Sequence, residues 1–98
     1  MNMQNLMAQA QKMQKDITKK KEEIDASEFT GKSEWVEITM YGNKKIKSIK
    51  ISNKESMDKD DIEALEDMLK IAFNDACNQI ENEINNKLGM YSQMNGLF

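Results

Sequence analysis

The stretch WVEITMYGNKKIKSIKIS, residues 35–52, is where the period of the chain changes. Val36, Ile38 and Met40 alternate with Trp35, Glu37, Thr39 and Tyr41, and Ile49 and Ile51 then alternate with Ser48, Lys50 and Ser52. A period of two sends successive side chains to opposite faces of a strand. Between the two runs, Gly42 and Asn43 tolerate the positive φ of a hairpin turn, so the stretch predicts two antiparallel strands. The preceding EFTGKSE reads as a shorter strand with a turn around Gly31, and the three together make a meander over residues 28–52.

On both sides the period lengthens to that of a helix. Met3, Leu6, Ala10, Met13, Ile17 and Ile24 recur at steps of three and four, which predicts an amphipathic helix over residues 3–25 with a coiled-coil-like seam. Lys12, Lys15 and Lys19 line up opposite that seam, a row that a solvated face steadied by Glu22 and Glu23 would also explain. After the strands, Ser56 or Asp58 is a candidate N-cap, with Asp60, Asp61 and Glu63 where carboxylates meet the positive helix end. This helix is expected over residues 58–88, stopped by Gly89, with residues 89–98 as a flexible tail. Its stripe is Ile62, Leu65, Leu69, Ala72, Phe73, Ala76, Ile80, Ile84 and Leu88, while Met68 and Ile71 lie off it.

The expected fold is therefore α+β, α-β-β-β-α, in one domain over residues 1–98, with a three-stranded antiparallel sheet flanked by two long helices. At 1.5 Å per residue, helices of about 22 and about 30 residues span roughly 33 and 45 Å, whereas strands of about seven residues span roughly 23 Å. The helices must overhang the sheet. Apolar seams on the overhanging ends need each other or a second copy, and a chain of 98 residues has little core in which to hide them. Leu69, Phe73 and Ala76 are expected to meet the chain's own sheet, and Met68, Ile71, Ala72 and Cys77 to form an isologous homodimer interface. Cys77, the single cysteine, has no internal disulfide partner and reads as a buried thiol.

Histidine is absent, as are a glycine-rich phosphate loop and a CxxC pair, so histidine-based catalysis and zinc-histidine sites are excluded. The acidic DKDDIEALED lacks the glycine and alternating oxygen ligands of a calcium loop. No enzyme activity, metal, cofactor or small-molecule substrate is expected. No apolar run approaches a membrane span, and the N-terminus has no signal-peptide block, which predicts a cytoplasmic location.

Charge separates along the chain: residues 1–25 hold five Lys against four acids, residues 26–54 six against three, and residues 55–98 three against ten. All fourteen cations are lysine, so contacts with an anion are point charges without the bidentate fork of arginine. Lys44, Lys45, Lys47 and Lys50 fall in KKIKSIKISNK, which has no acidic residue. Strand lysines also guard edges against unwanted pairing, but a dimer would double any cationic patch, and phosphate contact with DNA is the sharper reading. A dimeric scaffold that grips a helical or unfolded protein segment is the alternative suggested by the net charge of −3 and the methionine-rich ends.

The order of elements, with NLMAQAQKMQKDI in the first helix, FTGKSEWVEITMYGNKKIKSIKIS in the strands, DDIEALEDMLKIAFNDACNQIENE in the second helix and LGMYSQMNGLF at the end, resembles the YbaB/EbfC family of nucleoid-associated proteins. The similarity spans nearly the whole chain and is most specific around AFNDA, residues 72–76. It implies a tweezer-like homodimer that binds DNA, with the helical arms as candidate contacting elements, and that organises the nucleoid and influences gene expression; low sequence specificity is what contact through lysine and phosphate predicts. By the matched segments it adds weight to Lys12, Lys15, Lys19 and Lys47 as phosphate contacts. Asn74 and Asp75 are expected to bond to a strand backbone or across the dimer, since Asp75 would repel phosphate.

Overall fold

The computed structural model describes residues 2–95, with the side chains of the last helix described through residue 89. The elements run α1 (Met3–Ala26), β1 (Glu28–Lys32), β2 (Val36–Tyr41), β3 (Ile46–Ile51) and α2 (Asp61–Asn95). The sheet is antiparallel throughout, in the order β1-β2-β3. The molecule is a rod of 70 × 19 × 14 Å because both helices run past the sheet.

Val36, Ile38 and Met40 of β2 are buried on one face, where they meet Ala72, Ala76 and Ile80 of α2. The close seat of that helix depends on Gly31, whose place any Cβ would contest with the Ala72 carbonyl and the Ala76 amide nitrogen. Small residues on both sides let backbone meet backbone. Asp75 and Gln79, on one flank of α2, reach the outer edge of β1: the Asp75 carboxylate accepts from the Lys32 N–H at 3.0 Å, and the Gln79 amide donates to the Thr30 carbonyl at 2.8 Å. An edge that would otherwise offer free backbone groups is thereby capped by side chains. Asp75 has the strand-backbone role expected of it.

Beyond the sheet the two helices pair, with Ile17 and Ile24 of α1 against Ile84 and Leu88 of α2. The arm buries only the C-terminal part of the seam read from the sequence, Ile17 and Ile24; Met3, Leu6, Ala10 and Met13 are exposed.

The second helix departs from its expected bounds at both ends. Regular structure begins at Asp61, preceded by a turn in which the Asp58 carboxylate accepts from the Asp60 N–H at 2.9 Å and the Asp61 carboxylate accepts from the Asp58 N–H at 3.0 Å. These two bonds tie Asp58 to the first turn of the helix, while Ser56 bonds back to Asn53. Gly89 does not stop the helix, which continues to Asn95; the flexible tail expected from residue 89 is helical as far as it is described, and its last three residues lie outside the described ones. A glycine inside a helix costs only about 1 kcal/mol relative to alanine. Leu88, fully buried against α1, holds the helix in register beside it.

The hairpin also differs in detail. The left-handed residue is Lys44, at φ 71°, and neither Gly42 nor Asn43 takes positive φ. Lys44 N–H donates to the Tyr41 carbonyl, Tyr41 N–H to the Lys45 carbonyl, and the Asn43 side chain accepts from the Lys45 N–H, the pattern of a three-residue loop with one left-handed position. Gly42 is required for a different reason: a Cβ there would strike the carbonyl of Ile24 at the end of α1.

Candidate nucleic-acid interface

Lys12, Lys15 and Lys19 are exposed on α1, on the side turned away from Ile17 and Ile24 and hence from α2. At ~100° per residue the three lie within about 60° of one another, and over their seven-residue span the row is roughly 10 Å long. The remaining lysines of this helix are engaged: Lys20 lies 3.2 Å from Asp16, and Lys21 lies 2.7 Å from Asp25. No ion pair among the described residues involves Lys12, Lys15 or Lys19. Pairing of neighbouring lysines with neighbouring acids leaves these three without an ion pair among the described residues.

The strand lysines divide in the same way. Met40 pairs with Ile46 and Thr39 with Ser48, so Lys47 is the extra residue of a β-bulge. It bonds Glu28 at 2.7 Å on the face of the sheet away from α2. That hydrogen bond, then the Coulomb attraction of the same carboxylate, raises the Lys47 pKa above its ordinary 10.5, against a small opposing desolvation. Lys32 lies 3.7 Å from Glu37. Lys44, Lys45 and Lys50 are exposed and enter no ion pair among the described residues. Of the seven lysines singled out from the sequence, Lys47 alone is tied to an acid.

The bulge has a second effect that strict alternation did not anticipate. By skipping Lys47 it brings Ile46 onto the same face as Ile49 and Ile51, beside Met40, Ile38 and Val36. Yet α2 lies over β1 and β2 only, so Ile46 and Ile49 remain 47% and 48% exposed. Above them stands the flank of α2 opposite Asp75 and Gln79, which carries Ile62, Leu69 and Phe73, the last 39% exposed. Strand floor and helix wall form an apolar step.

This step changes the picture of the residues expected between subunits. Ala72 is fully buried inside its own chain against Gly31, a correction to its expected interface role, because the helix could seat so closely only on an alanine. Met68 is half-buried against the chain's own core, and Ile71 is exposed on the Asp75 side, away from the step. Cys77 is half-buried and packs against the core. Phe73, expected against the sheet of its own chain, is instead 39% exposed.

The chain matches the YbaB/EbfC DNA-binding family over residues 1–95. A Streptococcus agalactiae protein named as nucleoid-associated is 45% identical over 95 residues, covering 94% of each chain. A Streptococcus pneumoniae protein of the same name is 43% identical over 94 residues, with the same coverage of both chains. Among solved structures, the crystal structure of the uncharacterised protein HP0035 from Helicobacter pylori superposes with a TM-score of 0.72 at 23% identity, covering 88% of this chain and 91% of that one. That likeness confirms the α-β-β-β-α fold. Among the described residues no helix is long and apolar enough to cross a membrane.

Proposed function

Because this chain belongs to the YbaB/EbfC DNA-binding family, which is a family of nucleoid-associated proteins and not of enzymes, we propose that it acts in the nucleoid as a homodimer that holds DNA through lysine-phosphate contacts of low sequence specificity. The observation that carries this reading is the row Lys12, Lys15 and Lys19, three cations with no ion pair among the described residues, on the outer side of a protruding arm. Lysine ammonium groups neutralise phosphates one at a time and release counterions, but read no base edge as an arginine fork does. Lys44, Lys45 and Lys50 supply further free charge, and Lys47 shapes the sheet face through Glu28. Binding of this kind organises the nucleoid and influences gene expression through occupancy of the duplex.

The dimer covers the apolar step. Ile46, Ile49, Ile62, Leu69 and Phe73 of one subunit pack on the same residues of the other, with Cys77 beside them, since a patch repeated on both copies closes by a twofold axis. Removal of large apolar side chains from water supplies about 25 cal/mol per Å². Titration of a labelled duplex at several salt concentrations tests the DNA reading: affinity should fall linearly on a log-log plot against salt, and no binding even at low salt would refute it.

A further inference from the structure

We propose that each subunit presents two separate phosphate-binding surfaces, Lys12–Lys15–Lys19 on the arm and Lys44–Lys45–Lys50 on the hairpin and β3, so that one assembly holds two duplexes together. This inference rests on the DNA-binding reading above and adds a second duplex to it. No ion pair among the described residues involves either set, although Lys50 faces Glu37 across the strands, while the lysines around them pair with Asp16, Asp25, Glu28 and Glu37. Selective neutralisation divides what would be a diffuse cationic surface into two.

The ground between the two sets is acidic. Gly42, at the start of the hairpin loop, abuts Ile24 at the end of α1, and the exposed Glu22 and Glu23 occupy the turn just before that contact. A phosphate backbone tracking from the arm to the hairpin would have to cross these carboxylates. Counting back from Ile24, Lys15 and Lys12 stand roughly 14 and 18 Å up the helix, at 1.5 Å per residue. Those distances are about twice the screening length of ~8 Å at physiological ionic strength, so Lys12 and Lys15 are screened from the hairpin, whereas Lys19, about 8 Å up the helix, is separated from it by Glu22 and Glu23.

The hairpin set is also held in place before any ligand arrives. Lys44 and Lys45 are fixed by backbone bonds to Tyr41 and by the Asn43 side chain, and Lys50 stands on β3 opposite Glu37. On α1, the helix itself fixes the spacing of the other three. In both sets the backbone is fixed before binding, so only the lysine side chains remain to be ordered when a duplex is engaged.

The experiment uses the full chain, one duplex tethered to beads and a second, labelled duplex in solution, with mobility shift of a single duplex run in parallel. The variants are K12Q/K15Q/K19Q and K44Q/K45Q/K50Q, each checked for an unchanged melting curve. The inference requires that wild-type protein capture the labelled duplex, and that each triple variant still shift a single duplex, with affinity reduced by up to about 100-fold, yet lose capture by at least about tenfold. Three outcomes would overturn it: wild-type protein that shifts a duplex but captures none; a triple variant that alone abolishes the shift, which would mean one continuous surface; or a triple variant that captures as well as wild type, which would mean that twofold copies of a single surface do the bridging. Failure of the wild-type protein to shift any duplex is a separate result, and defeats the DNA reading itself.

Discussion

Lys44 occupies the left-handed region at φ 71°, where a Cβ is unfavourable and glycine is at ease. Lys44→Gly is expected to raise stability by about 0.5 kcal/mol after the added freedom of the unfolded glycine is deducted, and to raise Tm by roughly 2–4 °C in calorimetry. Gly31 is the opposite case, because the space a side chain needs is filled by the backbone of α2 at Ala72 and Ala76. Gly31→Ala should lift that helix from the sheet and destabilise the fold by about 3 kcal/mol, measured by urea unfolding. Lys47 illustrates a charge whose environment has a direction. Its pKa is raised, so its bond to Glu28 contributes fully below pH 10.5 and is lost only as pH rises through the higher folded value. Between neutrality and pH 9 this pair should leave stability flat, and a pH series of melting curves that compares Lys47→Gln with the parent chain checks it.

At the scale of elements, α2 has two different flanks. One satisfies the edge of β1 through Asp75 and Gln79, and the other overlooks the bare inner face of β3. Replacing Asp75 with Ala removes the acceptor for the Lys32 N–H at little loss of apolar packing. Hydrogen exchange of that amide should accelerate by about tenfold, corresponding to roughly 1.4 kcal/mol, while amides in the middle of β2 remain protected. The arm shows the same division between faces. Ile17 and Ile24 bind it to α2, and Lys12, Lys15 and Lys19 point outward. Glutamine at all three lysines should leave the melting curve unchanged and reduce the log-log salt slope of DNA binding by about 3 if one arm engages the duplex, or by about 5 if both do.

For the whole molecule, the proposed dimer rests on the apolar step that a rod of 70 Å leaves uncovered. Ile49→Glu with Phe73→Glu places charge in the middle of that step on both copies. Sedimentation should then report a single subunit where the parent chain sediments as a dimer, and because the core of Val36, Ile38, Met40, Ala72, Ala76 and Ile80 is untouched, the helical circular dichroism should persist. A parent chain that sediments as a single folded subunit would remove the dimer from the proposal.

Element types and their order were legible in the residues alone because helix and strand are set by short-range periodicity: Val36, Ile38 and Met40 can share a face only on a strand, and Ile17 and Ile24 sit seven apart on one helix face. The candidate lysines were legible too, as residue types on exposed faces. What waited for tertiary structure was every property that depends on how far α2 is offset across the sheet and where β3 bulges. That offset buried Ala72 and left Ile46, Ile49 and Phe73 exposed, while Leu88, packed on α1, lies just before the glycine at which the helix was expected to stop. The bulge tied Lys47 to Glu28 across strands nineteen residues apart in sequence, and no local pattern encodes a contact between residues that only the folded sheet brings together.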